Sequence, residues 1–253
     1  MSWTIGVTNY TYVENYVKDK IRVFHFEAGN IIPLEYGTKV PRPNILMIAA
    51  THGDEPAGYH ALKKIKEDIL NNNLVIKRGS ITLIPKVNEY GLKNNERETN
   101  TFKLNSKGGG GDINRSYSKK SNEKPKSYQA KLIQKYMKNS DLVLDFHEGY
   151  DFHKIDSSSI GSTLHSTNFN GENTHAQNAI QRLNQNISDP MKKWTLLKDK
   201  ADIPASCRYY AKIAKTPHIL IETTGKLNKQ PLHIRVNQNS TIIDSILGDM
   251  GII

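Results

Sequence analysis

NILMIAATHGDEPAGY, residues Asn44 to Tyr59, decides the reading of this chain. Its apolar run, Ile45 to Ala50, predicts a buried strand. The run ends in Thr51-His52-Gly53-Asp54-Glu55, and Pro56 then opens a helix, at a position where its missing N–H costs nothing. His52 and Glu55 therefore fall on a turn at the C-terminal end of a strand, the edge at which open α/β sheets place their ligands. A histidine and a carboxylate three residues apart on such a turn can close on one metal ion. A His2Glu set with an open fourth position is a catalytic zinc arrangement. The pair alone is common in sequences, so its meaning depends on a second histidine elsewhere.

Working outward, residues 1–43 read as β-rich. Lys20 to Glu27 alternates, Ala28-Gly29-Asn30 signals a turn, and Ile31 to Tyr36 is placed as a returning strand. After the decisive stretch, Ala57 to Leu70 has helical spacing. Gly79 to Val87 is the next strand, and residues 88–125 form a long polar segment of the kind that often carries function. A helix follows over Lys126 to Met137, and Asp141 to Phe146 is a buried strand running straight into His147. Residues 148–171 read as loop, Glu172 to Ile187 and Pro204 to Lys215 as helices, His218 to Glu222 as a strand, and Ser240 to Leu247 as a C-terminal helix. The alternation of strands and helices predicts an α/β sandwich. With no repeat and no linker, residues 1–253 read as a single domain, with 1–43 as its β-rich N-terminal part.

The chain has 253 residues, 37% of them hydrophobic and 24% charged, enough for a sizeable core and unlike a disordered polymer. No apolar run approaches a membrane span. The start, MSWTIGVTNYTYVENY, lacks the basic and apolar pattern of a signal peptide. The single cysteine, Cys207, excludes an internal disulfide and reads as a buried thiol. A cytoplasmic protein with no membrane partner is expected. The net charge of +10 is spread over lysines throughout the chain without a nucleic-acid module, so it reads as a solvated surface with no specific nucleic-acid partner.

The remaining chemistry lies at strand ends and in the long loops. His147 ends a strand as His52 does. The polar segment carries Asn88-Glu89-Tyr90-Gly91, Arg97 and Asp112-Ile113-Asn114-Arg115, and Glu222 closes the strand His218 to Glu222. Taken in order over about residues 44–224, this set resembles the zinc carboxypeptidase family, including its aspartoacylase and succinylglutamate desuccinylase branch. The resemblance implies a three-layer sandwich in which a mixed, twisted sheet is flanked by helices. It implies one Zn2+ ion held by His52, Glu55 and His147, with Asp112 fixing the first histidine. Asn114 and Arg115 match the pair that grips the substrate's terminal carboxylate, a task suited to a planar guanidinium. Arg97 matches the arginine that stabilises the developing oxyanion, and Glu222 the general base. The implied function is hydrolysis of an amide next to a free carboxylate, as a carboxypeptidase or an N-acyl amino acid deacylase, on a small-molecule or peptide substrate. The alternative is a non-catalytic metal- or peptide-binding protein on the same fold. Binding alone would not require both Glu222 and Arg97.

Four features depart from the family pattern or stay open. Peptide-cleaving members often carry a tyrosine on a mobile loop upstream of the base, but the neighbourhood of Lys200 and Ala201 has none. A desuccinylase usually continues into a further β domain, for which this chain is too short. Glu148, directly after His147, could meet a substrate ammonium group, support the metal site or face solvent, and His153 is the other histidine to watch.

Overall fold

A computed structural model describes residues 8–15, 20–28, 42–103, 111–197, 203–226 and 229–253. Its strands are β1 (Thr8–Asn15), β2 (Lys20–Glu27), β3 (Asn44–Ala49), β4 (Ser80–Ile84), β5 (Leu142–Gly149), β6 (Thr163–Ser166), β7 (Thr195–Leu196) and β8 (His218–Thr224). Its helices are α1 (Ala57–Leu70), α2 (Glu89–Asn94), α3 (Tyr128–Met137), α4 (Glu172–Gln185), α5 (Cys207–Ala214) and α6 (Leu232–Asp249), with short 3-10 turns at Ile113–Arg115 and Pro190–Lys192. The strands form one sheet in the order β1-β2-β4-β3-β5-β8-β6-β7. The centre, β4-β3-β5-β8, is parallel, while β1, β2 and β6 join antiparallel to their inner neighbours. The mixed sheet of the expected sandwich is present.

Strand alternation builds the three layers. Ile45, Met47 and Ala49 of β3 pack with Leu144, Phe146, Ile219 and Ile221 against Leu62 of α1, Ala176 of α4 and Ile243 of α6. The intervening Leu46 and Ile48 join Val143 in a second cluster with Ile133 of α3 and Ala211 of α5. Side chains of β5 and β8 in phase with Val143 thus project to the α3/α5 face. Asp145, His147 and Glu222 share that phase, and they stand at the C-terminal edge of the parallel strands.

Local chemistry fixes several element ends. Ser127 caps α3 by accepting from Ala130 N, and Ser206 caps α5 by accepting from Tyr209 N. Pro56 precedes α1 without a side-chain cap. The orphan N–H of Ala57 instead donates to Glu148 Oε1 at 2.7 Å, where a carboxylate also suits the positive end of the helix.

Several boundaries differ from the sequence reading. The strand running into His147 does not stop there but continues to Gly149. The segment read as loop after it contains β6, whose polar Thr163 and His165 are buried because they hydrogen-bond each other at 2.9 Å. The polar segment contains α2 and the turn at Ile113–Arg115, and the C-terminal helix begins at Leu232. The strand placed over Ile31 to Tyr36, and the Lys200–Ala201 neighbourhood, lie outside the described residues. Among the described residues no helix is long and apolar enough to cross a membrane.

Candidate active site

His52 and Glu55 stand on the turn between β3 and α1, and His147 stands in β5. Because β3 and β5 pair in parallel, with Ala49 opposite Phe146, the turn and the third residue meet at one sheet edge. His52 Nδ1 lies 2.9 Å from Glu55 Oε1, His147 Nδ1 lies 2.8 Å from Glu55 Oε2, and the two Nδ1 atoms are 3.1 Å apart. All three side chains are buried. Two imidazole nitrogens this close against one carboxylate fit a single divalent cation that all three would ligate. The far nitrogens each face a carboxylate. His52 Nε2 is 3.1 Å from Asp112 Oδ1, and His147 Nε2 is 3.2 Å from Asp145 Oδ1. A carboxylate behind each ring favours the proton on Nε2 and leaves the Nδ1 lone pair facing the shared point.

The turn is held by the second motif. Asn88 Oδ1 accepts from Gly91 N at 2.9 Å, while its Nδ2 donates to the Arg97 carbonyl at 3.2 Å. Gly53 N also donates to that carbonyl, at 3.4 Å. A side chain on Gly53 would put Cβ 1.9 Å from the Gly91 carbonyl carbon, so only glycine permits this approach. The Asn88-to-Gly91 turn thereby brings Arg97 to the turn that carries His52 and Glu55. Arg97 Nη1 lies 3.4 Å from Glu55 Oε1, and Nη2 donates to Asp112 Oδ2 at 3.1 Å.

Asp112 organises the next residues as well. Its Oδ1 accepts from Asn114 N at 2.8 Å, capping the turn at Ile113–Arg115. Asn114 Oδ1 accepts from Cys207 N at 2.9 Å, and Arg115 Nη1 donates to the Asn114 carbonyl at 2.6 Å. Both line a cavity of about 430 Å3 with His52, Glu55, Arg97, His147 and Glu222. Glu222 pairs in register with His147 across β5 and β8. All the sequence-predicted residues except Asp112 line this cavity, and Asp112 stands behind His52 and Arg97.

The electrostatics separate the carboxyl groups. Burial pushes Glu55 up, but the charges of His52 and His147 outweigh it and hold the group well below the usual carboxylate range. Burial likewise opposes ionisation of Asp112 and Asp145, yet His52 and Arg97 lower the first, and His147 and His218 the second. Glu222 behaves oppositely. Burial, reinforced by Glu55 and Asp145 and only partly relieved by His147 and Lys226, pushes it up to about 8.

Three features went unread in the sequence. Asp145 was read only as part of the strand Asp141 to Phe146, although strand alternation already puts it on the same face as His147. Lys226 Nζ lies 3.0 Å from both Asp54 Oδ2 and Glu55 Oε1, and nothing local announced it. Arg235 of α6 pairs with Glu148 Oε2 inside the protein. Glu148 is therefore a buried support: besides Arg235 and Ala57 N, its own N–H donates to Glu55 Oε2 at 3.2 Å. His153 Nδ1 is taken by the Ser159 carbonyl at 2.7 Å and belongs to its loop.

The model of the succinylglutamate desuccinylase/aspartoacylase catalytic domain matches residues 41–192, a span that ends before Glu222. A comparison with curated proteins returned no match. Among solved structures, tripeptide-bound cell shape determinant Csd4 from Helicobacter pylori is 19% identical with a TM-score of 0.67, covering 92% of this chain and 56% of Csd4. The mDAP-bound form of Csd4, described as a D,L-carboxypeptidase, is 20% identical with a TM-score of 0.65, covering 85% and 54%. A candidate metallopeptidase from Shewanella amazonensis is 15% identical with a TM-score of 0.63, covering 96% and 87%. At these identities the likeness is one of fold, and this chain spans little more than half the length of Csd4.

Proposed function

The chain belongs to the succinylglutamate desuccinylase/aspartoacylase catalytic-domain family, and from this premise we propose that it is a zinc-dependent hydrolase that cleaves an amide bond next to a free carboxylate. One observation carries the reading. His52 Nδ1, His147 Nδ1 and the Glu55 carboxylate converge on the wall of a cavity that also presents Arg115. Among the described residues, the guanidinium of Arg115 donates only to a backbone carbonyl, which leaves donors for a substrate.

His52, Glu55 and His147 would hold the metal, with Asp112 and Asp145 fixing the two rings. A bound zinc ion supplies Lewis acidity and acidifies a water molecule. Asn114 and Arg115 grip the terminal carboxylate of the substrate through charge-assisted hydrogen bonds and set its register in the cavity. Glu222 accepts a proton from water on the cavity side and returns it to the leaving amine. A carboxyl whose proton affinity burial has raised towards neutrality suits both directions of transfer. Arg97, held at rest by Glu55 and Asp112, offers its guanidinium to the substrate oxygen as negative charge grows there.

The substrate in this reading is a short peptide with a free C-terminus. The cavity of about 430 Å3 is roomier than an N-acyl amino acid needs, and relatives of the same fold have been solved with a tripeptide and with mDAP bound. A second reading, removal of an acyl group from an amino acid, is favoured by the family match itself. Both require the carboxylate. The test is a pair of peptides identical except for a free or an amidated C-terminus, with an N-acyl amino acid and its methyl ester alongside. Zinc-loaded protein is expected to cleave only the free acids, and the member cleaved decides between the two readings. Equal turnover of free and blocked forms would remove Asn114 and Arg115 from the assignment.

A further inference from the structure

Behind His147, Asp145 stands with two residues that the proposed reaction does not use, Cys207 and His218. Asp145 is 1% exposed and reaches His147 Nε2 with Oδ1 at 3.2 Å and His218 Nε2 with Oδ2 at 3.5 Å. The third neighbour is Cys207, the first residue of α5. Ligating atoms of Asp145, Cys207 and His218 lie within 4.8 Å of one another, and all three residues are buried. The thiol faces the Asp145 carboxylate and lies against the Tyr117 hydroxyl. Its backbone N–H donates to Asn114 Oδ1 at 2.9 Å. Its location is set by the start of the helix, which Ser206 caps. One residue thus touches the carboxylate-gripping pair through its backbone and the support of a metal ligand through its side chain.

We propose that Cys207 is a positioning residue of the metal centre: its S–H donates to Asp145 and, with His218, locks the carboxylate that orients His147, while its N–H holds Asn114 in the cavity wall. The inference rests on the reading of His52, Glu55 and His147 as metal ligands. With imidazole nitrogens at 3.2 and 3.5 Å and a thiol beside it, the carboxylate has little room to turn, and its turning would take away the group that faces His147 Nε2. Burial and the charge of Asp145 push the thiol well above its ordinary pKa despite the opposing Tyr117 contact, so it remains a donor and is inert as a nucleophile. The same three side chains also make up a candidate ligand set, Asp-Cys-His, and the experiment separates the two uses.

Zinc affinity is measured by competition with a chromophoric chelator for the wild type, Cys207→Ala and Cys207→Ser, with thermal unfolding of each, and cobalt(II) is titrated into the wild type. Cys207→Ala is expected to bind zinc about tenfold more weakly, the low end of the range for loss of an outer-sphere partner, and Cys207→Ser to restore most of that through its hydroxyl. Cobalt is expected to bind at one equivalent without a thiolate charge-transfer band. If the alanine variant does not fold, Cys207→Val, which fills the volume without a donor, takes its place with the same expectation. Wild-type affinity in a folded alanine or valine variant would overturn the proposal. So would a second equivalent of cobalt with a charge-transfer band, because the cluster would then be a metal site itself. A wild type that takes up no metal fails at an earlier step, and overturns the reading of the ligands along with the inference.

Discussion

Replacing Glu222 with glutamine exchanges a carboxyl for an amide of the same size at a buried position beside His147. The metal-free protein holds this carboxyl at about 8, against an ordinary value of 4.5. A folded-state value above the unfolded one means that the neutral acid is the form the fold favours. Its contribution is complete below the unfolded value and is lost as pH rises through the folded one. The displacement of about 3.5 units corresponds to a penalty of ~5 kcal/mol on the ionised form at about 1.36 kcal/mol per unit. The amide cannot ionise and escapes that penalty. Metal-free Glu222→Gln is therefore expected to match the wild type near about pH 5 and to exceed it near about pH 8.5 by ~4 kcal/mol, a shift in Tm of roughly 10 °C for a chain of this size. Zinc should close the gap by stabilising the ionised carboxylate. The same substitution should lower turnover about 10²- to 10⁴-fold, or ~3–5 kcal/mol of transition-state free energy. Thermal unfolding of chelator-stripped protein at the two pH values, with turnover by the loaded protein, checks both arms. A Tm difference independent of pH would refute the buried-acid argument, and activity within tenfold of wild type would refute the base.

Four further substitutions test separate parts of the site. Asp112→Asn removes the carboxylate behind His52 and should weaken zinc binding about 10- to 100-fold, as read by chelator competition; unchanged affinity would show that His52 needs no such support. Arg115→Ala should raise KM about 100-fold with a smaller effect on kcat, and Arg97→Ala should do the reverse, because the first is assigned to binding and the second to charge that develops only in the transition state. Steady-state kinetics on one substrate read both, and identical profiles would erase the distinction. Gly225→Ala would place Cβ 1.5 Å from Glu148 Oε2 and 2.5 Å from Arg235 Nη1. Separating that buried pair should destabilise the fold by about 3–5 kcal/mol, and a Tm within about 2 °C of wild type would contradict the packing.

The parts of this architecture that follow from short-range rules were legible in the sequence. The β3 turn announced itself because an apolar strand, a His-x-x-Glu pair and a helix-opening proline are contiguous. The helix Ala57–Leu70 was readable to its ends because its apolar positions keep helical spacing. What escaped depends on pairing between distant residues. The register that sets Glu222 against His147 is a property of two strands and cannot be read from either. The Glu148–Arg235 pair spans 87 positions, and Arg235 sits in the half of α6 where buried polar residues, Arg235, Gln238 and Asn239, mask the apolar pattern. β6 has only four residues, two of which are polar partners of each other, so no hydrophobic alternation marks it. Asp145 is a different case. Alternation from His147 puts it on the same face, and only its position inside an apolar strand concealed its separate task.

On the proposed reading His52, Glu55 and His147 hold a metal which, with Glu222, hydrolyses an amide beside a free carboxylate. Its most direct test is product release, resolved by mass, from a mixed panel of short peptides and N-acyl amino acids, with metal-free protein, zinc-loaded protein and zinc-loaded Glu222→Gln run side by side. A free amino acid is expected only with the zinc-loaded wild type, from substrates ending in a carboxylate. Release that is equal in all three samples, or no release from any carboxylate-bearing substrate by protein holding one zinc, would contradict it.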